Sequence, residues 1–164
     1  MSDPNTNARA PRFKIGEIAS ELGTTVRTLR YYEQQGLLTP PRTTKGTRLY
    51  SGWHVERFRA ALMLTGLGIP LEQVVGLTQA RPGSPSGSVS GPKVLKALEQ
   101  LRQTVLDRRA RFEHLLFDIE RAAVLVDLCR DCPKAPTNTT CPECPCSTHF
   151  HAAQVLALTW SVDD

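Results

Sequence analysis

Apolar positions recur at helical spacing through the first eighty residues, in stretches that glycine and proline separate. The first stretch, residues 13–22, ends at Gly23. Thr25 is a suitable N-cap for the next helix, which Gly36 ends. Two short helices joined by a tight glycine turn are typical of a helix-turn-helix.

Proline and glycine also divide the segment that follows this helix pair. Residues 40–41, both proline, exclude further helix, and Gly46 allows the tight turn of a two-stranded wing. A third helix is predicted at residues 52–66, and a fourth from Pro70 to about Ala80. We expect the third helix to bury an apolar face made of Trp53, Val55, Phe58, Ala61, Leu62 and Met63.

A heptad pattern occupies the middle of the chain. Residues 81–92, RPGSPSGSVSGP, form a predicted linker, in which Ser90 is a suitable cap for a long helix at residues 93–128. Ten positions spaced alternately four and three apart, from Val94 onward, are apolar except for Arg108. At 1.5 Å per residue the seam is about 50 Å long, more than a domain of roughly ninety residues can cover. The pattern predicts a partner helix from a second chain; packing within the monomer is the alternative.

Charge is distributed unevenly along the 164 residues, whose net charge is +4. Residues 1–80 hold ten Lys and Arg against six Asp and Glu, whereas residues 81–164 hold ten of each. The cationic excess therefore favours a polyanionic partner for the first half. Residues 1–12 lack the apolar core of a signal peptide, and no apolar run reaches the roughly 18 residues of a membrane helix. We expect a disordered arm at residues 1–12 and a cytoplasmic protein with no membrane partner.

The second helix and the wing, TVRTLRYYEQQGLL and PPRTTKGTRLY, place a cationic helix beside a cationic hairpin, as binding to a DNA duplex requires. Together with FKIGEIASELGT before them, these segments resemble the MerR family of bacterial transcription regulators over residues 13–80. The heptad helix at residues 93–128 is similar to the dimerisation helix of that family.

The resemblance implies a mainly α fold with three parts: a winged helix-turn-helix at residues 13–80, a long antiparallel coiled-coil dimerisation helix at residues 93–128, and a Cys-rich metal loop with a short helix at residues 129–164. It implies a homodimer that distorts double-stranded promoter DNA for RNA polymerase. The sequence contains no pattern of a nucleophile with its base and no phosphate-binding loop, so we expect no enzymatic activity. The DNA-binding residues that the resemblance implies are Thr25, Arg27, Thr28, Arg30, Tyr31, Arg48, Tyr50 and Arg57. For Thr25, a role as helix cap alone is the alternative.

All five cysteines lie within eighteen residues, after the heptad helix: Cys129, Cys132, Cys141, Cys144 and Cys146. Two Cys-x2-Cys pairs can present four thiolates tetrahedrally, as a zinc site requires, and a reducing cytoplasm disfavours structural disulfides. We therefore expect Zn(II) or another thiophilic metal ion here, with His149 and His151 as further candidate ligands. The alternative from the residues alone is a dithiol redox switch.

The position of these cysteines resembles the effector loop of metal-sensing MerR proteins, which implies a regulator that responds to a bound thiophilic metal ion. Two alternatives remain. The Cys141-x2-Cys144-x-Cys146 pattern resembles the cysteine core of the superoxide-responsive branch, which implies a [2Fe–2S] cluster and a redox sensor, although Ala152 stands where that branch has its fourth cysteine. Zinc could instead be structural, with an organic effector. We expect residues 149–160 to form a short amphipathic helix that docks on the other chain.

Overall fold

The computed structural model describes residues 13–135, 141, 144 and 153–159, and most of them are helical, as predicted. The elements among these residues are α1 (Ile15–Glu21), α2 (Val26–Gln34), α3 (Gly52–Gly66), α4 (Leu71–Gln79), α5 (Gly87–Asp127) and a 3₁₀ helix (Gln154–Leu158). The wing contributes isolated antiparallel bridges rather than strands within this part of the chain. None of the described helices is both long enough and apolar enough to cross a membrane.

The turn between α1 and α2 follows from local side-chain chemistry. Gly23 takes a positive φ of 61°, a conformation that favours glycine. Thr25 then caps α2, because its Oγ1 accepts the backbone N–H of Thr28 at 3.0 Å. Gly36, with φ of 87°, reverses the chain after α2. The predicted helix-turn-helix is therefore confirmed, with its cap and its two glycines.

The chain divides into two units, and the first, up to Val105, is built around one apolar core. Ile18 of α1, Leu29 of α2 and Phe58 of α3 are completely buried in it. The first part of α5 belongs to the same unit, since Leu101 packs against this core. Burial of these side chains fixes the position of α2 relative to α3.

The apolar face of α3 is narrower than we expected. Val55, Phe58 and Ala61 are buried, whereas Trp53 and Met63 are each 58% exposed. At about 100° per residue, Val55 and Phe58 lie on one side of the helix and Trp53 lies on nearly the opposite side. The assignment of Trp53 and Met63 to the buried face was therefore wrong.

The long helix α5 begins earlier than predicted. It starts at Gly87 rather than at residue 93, because Ser86, not Ser90, caps it: Ser86 Oγ accepts the backbone N–H of Val89 at 3.3 Å. Pro92 lies inside the helix, where its ring removes one backbone donor without ending the helix.

Much of the predicted heptad seam is exposed in the single chain. Six of its side chains are 44% to 64% exposed, namely Leu98, Val105, Phe112, Leu115, Ile119 and Val126. Exposed apolar side chains in a continuous row are typical of a surface that another molecule covers. Packing within the monomer does not cover these six side chains in the described part of the chain.

The second unit, from Leu106 onward, has a smaller core at the end of α5. Ala122 of α5 is buried together with Ala153 and Leu156 of the carboxyl-terminal segment. Asp118 accepts two backbone N–H groups of this segment, those of Gln154 and Val155, each at 2.9 Å. The segment therefore docks on the α5 helix of its own chain, contrary to our expectation of docking on the other chain. The described residues form a 3₁₀ helix, and the rest of the predicted helix lies outside them.

Candidate nucleic-acid interface and cysteine segment

Helix α2 presents one cationic face and buries the other. Arg27 and Arg30 are exposed, and Tyr31 is 50% exposed. On the opposite side, Leu29 is fully buried and Tyr32 is anchored by a 2.7 Å hydrogen bond between its hydroxyl and Thr65 Oγ1. The core thus holds α2 so that its arginines face outward, as a nucleic-acid-binding helix requires.

The threonines at the start of α2 are hydrogen-bonded to each other and to the helix backbone. Thr25 Oγ1 caps the helix, and it also lies 2.8 Å from the hydroxyl of Thr28. One of the two hydroxyls donates to the other, and because both side chains are at least partly exposed, the remaining hydroxyl proton can donate to a phosphate oxygen. The capping role of Thr25 is confirmed, and its contact with DNA stays a prediction.

The wing is a short hairpin with a tight turn at its tip and an antiparallel bridge beside the turn. Gly46 takes a φ of 79° at its tip, where its N–H donates to the carbonyl of Thr43 at 2.9 Å. An antiparallel bridge joins Arg42 to Arg48 next to this turn. Glycine is required at the tip because other residues rarely adopt this φ, so the predicted turn at Gly46 is confirmed.

A cleft separates α2 from the wing, and one acidic side chain lies within it. The carboxylate of Glu33 accepts a hydrogen bond from the hydroxyl of Tyr50 and lies 3.2 Å from Nε of Arg48. The Glu33 side chain is 8% exposed, whereas that of Arg48 is 40% exposed. Burial, followed by the hydrogen bond to Glu33, raises the pKa of Tyr50 well above its usual value. Tyr50 therefore stays protonated and donates to the carboxylate.

The structure contradicts the prediction of direct DNA contact by Tyr50. Its side chain is completely buried, and its ring packs 6.0 Å from that of Phe58. The one polar atom of this side chain, the hydroxyl oxygen, is engaged with Glu33. Sequence reasoning also missed Glu33. The only signal for it was an acidic residue within an otherwise cationic helix, and its partners are fifteen and seventeen positions away along the chain.

Arg57 is partly committed to the fold. Its Nη1 donates to the carbonyl of Leu37 at 3.4 Å, just beyond the end of α2, and its side chain is half-buried. A contact between Arg57 and phosphate stays a prediction. His54 lies one turn earlier on α3, and its Nδ1 accepts the backbone N–H of Ser51 at 2.9 Å. Burial, then the nearby Arg57, lowers the pKa of His54.

The cysteines begin just after the end of α5, in two short turns. The N–H of Cys132 donates to the carbonyl of Cys129 at 3.1 Å, and that of Cys144 donates to the carbonyl of Cys141 at 3.0 Å. Each turn brings the two ends of a Cys-x2-Cys pair together. The four described cysteines are thiols rather than disulfides. Soft sulfur ligands of this kind suit thiophilic metal ions.

Complete metal coordination is not visible among the described residues, where no three His, Cys, Asp or Glu side chains converge on one point. Cys146, His149 and His151, which we predicted as ligands or candidate ligands, lie outside these residues. The donor chemistry of Cys129, Cys132 and the second pair fits zinc or a softer ion. Their assignment as ligands stays a prediction.

A model of the MerR HTH regulatory protein family matches residues 13–81. The mercuric resistance operon regulatory protein of Bacillus cereus is 30% identical over 137 residues, which cover 82% of this chain and 93% of that protein. An HTH-type transcriptional regulator of Haemophilus influenzae, named as a ZntR homolog, is 45% identical over 65 residues, which cover 39% of this chain and 48% of that protein. This second match therefore spans about half of the relative.

Solved structures share the fold. A crystal structure of a MerR family transcriptional regulator from Bacillus thuringiensis aligns with a TM-score of 0.55 and 24% identity, covering 68% of this chain and 96% of that one. HiNmlR, a MerR family regulator lacking the sensor domain and bound to promoter DNA, aligns with a TM-score of 0.54 and 18% identity. The alignment covers 72% of this chain and 88% of that one. At these identities the likeness supports the fold alone.

Proposed function

The chain belongs to the MerR family of helix-turn-helix transcriptional regulators, and from this membership we propose that it binds promoter DNA as a homodimer and responds to a thiophilic metal ion held by its cysteines. The observation that carries the DNA-binding part is the cationic face of α2 beside the wing. It lies within residues 13–81, which the family model matches.

In this proposal the exposed side chains of α2 contact the duplex. Arg27, near the amino-terminal end of the helix, reaches base edges or a flanking phosphate, and Arg30 and Tyr31 contact phosphate or sugar. Arg48 contacts the DNA backbone from the wing, where its side chain is 40% exposed. Thr25, Thr28 and Arg57 add further phosphate contacts.

The dimer is proposed to form through α5. The exposed seam supports this, because the exposed Phe112 and Leu115 lie on it together with four other apolar side chains. Arg108 is the one polar seam residue, and its buried Nε has no hydrogen-bond partner in the described part of the chain. A buried donor of this kind is normally satisfied, and an acceptor on a second chain would satisfy it.

The metal response is proposed from the cysteines and from two relatives. The Bacillus cereus relative is named for mercuric resistance, and the Haemophilus influenzae relative is named as a ZntR homolog. The turns at residues 129–132 and 141–144 place two pairs of cysteines in the segment after α5. A thiophilic ion bound there would cross-link the segment after α5 and fix its conformation.

A physical route from metal to DNA is available in this arrangement. The cysteines lie between the end of α5 and residue Ala153, and the segment from Ala153 docks back on α5 near Asp118 and Ala122. Binding of a metal ion by the cysteines would therefore act on a segment that is attached to α5 at both of its ends. The dimerisation helix would transmit this change to the DNA-binding regions and so to the spacing of promoter elements for RNA polymerase.

The test combines metal analysis with transcription. Anaerobically purified protein should bind a thiophilic metal ion at the cysteines of each chain. Transcription by RNA polymerase from the promoter that the protein binds should change when Zn(II) or Cu(I) is added. Replacement of Cys132 and Cys141 by Ser should remove both effects, whereas replacement of Ser84 by Ala should retain them. Metal binding without any change in transcription would instead favour structural zinc with an organic effector.

Analysis of the same purified protein distinguishes a redox sensor from a metal-ion sensor. An iron–sulfur protein would be coloured and contain iron and sulfide, and its transcription would respond to oxidants rather than to Zn(II). A colourless protein that contains zinc would exclude this alternative. A dithiol switch would lose its response when either cysteine of a pair is replaced, without any metal in the protein.

A further inference from the structure

The carboxylate of Glu33 lies in a cleft of the surface that we propose contacts phosphate. It shares a cleft with Arg30, Arg42 and Arg48, the three cationic side chains between α2 and the wing. An anion beside three guanidinium groups reduces the attraction of this surface for DNA. The presence of Glu33 at this position therefore requires a local function that outweighs the repulsion.

The contacts of Glu33 indicate such a function. One carboxylate oxygen accepts the hydroxyl of Tyr50, and the other lies 3.2 Å from Nε of Arg48. Tyr50 is completely buried in the core, and the Glu33 side chain is only 8% exposed. A continuous series of contacts therefore joins the core of the unit to the arginine of the wing.

This series leaves most of the Arg48 guanidinium available. The ion pair engages Nε, and a guanidinium carries four further N–H donors on its two terminal nitrogens. The side chain is 40% exposed, so these donors can reach an acceptor outside the protein. Without Glu33, Arg48 would rotate among many conformations and would have to give up that freedom on binding.

We propose that Glu33 is a positioning residue for DNA binding, which holds Arg48 of the wing in the orientation that contacts a phosphate of the duplex. The inference rests on the proposed DNA-binding function and adds a residue to it. Its predicted effect on DNA affinity is opposite to the effect that charge alone predicts. Removal of a negative charge from the cleft should strengthen DNA binding by Coulomb attraction alone, whereas loss of a positioning residue should weaken it.

The test is a double-mutant cycle on Glu33→Gln and Arg48→Ala. The probe is a fluorescein-labelled duplex that the wild-type protein selects from a randomised pool, and binding is measured by anisotropy at several salt concentrations. Glu33→Gln should weaken binding about tenfold and reduce the steepness of the salt dependence by about 0.9 for each phosphate that the protein no longer neutralises. In the Arg48→Ala background the same substitution should no longer weaken binding, and the Coulomb effect of the lost charge should leave the affinity equal or slightly higher.

Two controls separate positioning from folding. Glutamine retains an oxygen that can accept the hydroxyl of Tyr50, so Glu33→Gln should keep the melting temperature close to that of the wild type. The Nε–H proton of Arg48, observed by nitrogen-15 NMR, should exchange slowly with solvent in the wild type and fast in Glu33→Gln. Glu56→Gln removes an exposed carboxylate of α3 that pairs with Arg59, and it should not weaken binding.

The outcomes are distinct. If the wild type binds duplex and Glu33→Gln binds as tightly or more tightly, the inference is overturned while the proposed function stands. An equal decrease in affinity with and without Arg48 would also overturn it, because Glu33 would then act through the fold. A wild-type protein that selects no duplex at low salt would overturn the proposed function and this inference together.

Discussion

The carboxylate of Asp118 accepts the backbone N–H of Val155 at 2.9 Å, although 37 positions separate the two residues along the chain. The other oxygen of Asp118 accepts the N–H of Gln154 at the same distance. One side chain of α5 therefore satisfies two backbone donors at the start of the 3₁₀ helix. Charge-assisted hydrogen bonds of this kind are stronger than those between neutral groups.

Replacement of Asp118 by Ala should release this segment. Both N–H groups would lose their acceptor, so amide hydrogen exchange at Gln154 and Val155 should accelerate at least about tenfold. Asp118→Asn, which retains one oxygen acceptor, should give an intermediate rate. Glu120→Ala, on the same helix, should leave these amides unchanged. Equal exchange rates in Asp118→Ala and in the wild type would show that the carboxylate does not hold the segment.

Protonation of His54 should destabilise the first unit in acid. Nδ1 of His54 accepts the N–H of Ser51 at the start of α3, and a protonated ring cannot accept. Burial, then Arg57, lowers the pKa of His54 in the folded protein. The stability that neutral His54 contributes is therefore present above the unfolded pKa of about 6.5 and is lost as the pH falls through the lower folded value.

The measurement compares urea unfolding of the wild type and His54→Gln between pH 5 and about pH 8. Glutamine can accept the same N–H but does not titrate, so the difference in unfolding free energy between the two proteins should change with pH below about 6.5. The other titrating groups are shared and cancel in the difference. Parallel stability curves for the two proteins would rule out this role of His54.

A charge on the α5 seam should separate the proposed dimer. Phe112 is 64% exposed in the single chain and lies on the heptad seam, so Phe112→Glu would place a carboxylate in each half of the interface. The dissociation constant of the dimer, measured by analytical ultracentrifugation, should rise by about 100-fold or more. Val124 is 70% exposed and lies off the seam, so Val124→Glu is the matched control. Similar dimer affinities for the two variants would place the interface elsewhere.

Loss of the Thr25 cap should destabilise α2. Thr25→Ala removes the oxygen that accepts the N–H of Thr28 at 3.0 Å, and loss of a cap of this type costs about 1 kcal/mol. Thr25→Ser retains the oxygen and should stay within a few tenths of a kcal/mol of the wild type. The free energy of unfolding in urea provides the comparison. An unchanged stability of Thr25→Ala would mean that the capping bond contributes nothing.

Features that depend on neighbouring residues could be predicted from the sequence. The cap at Thr25, the turn at Gly46 and the bounds of α3 follow from local backbone preferences, and all three were confirmed. The resemblance to the MerR family was confirmed as well, because its motif is contiguous over residues 13–80. Local chemistry and a dense motif therefore specified the helix-turn-helix.

Features that depend on distant residues could not be predicted. Glu33 meets Arg48 and Tyr50 only after the wing folds back against α2, and no periodicity in the sequence pairs these positions. Tyr50 was misassigned for the same reason, since an aromatic residue two positions after an arginine predicts a surface contact as readily as a core position. Asp118 lies on an exposed stretch of α5, and its function becomes visible only through Gln154 and Val155.

The first described residue of the chain is tied to the end of the wing. The N–H of Phe13 donates to the carbonyl of Tyr50, and the N–H of Tyr50 donates to the carbonyl of Phe13, each at 3.0 Å. A recombinant protein that starts at Ile15 would lack both hydrogen bonds, so the backbone of Tyr50 would no longer be held at this position. Fluorescent or affinity tags therefore belong ahead of Phe13, where they leave this closure intact.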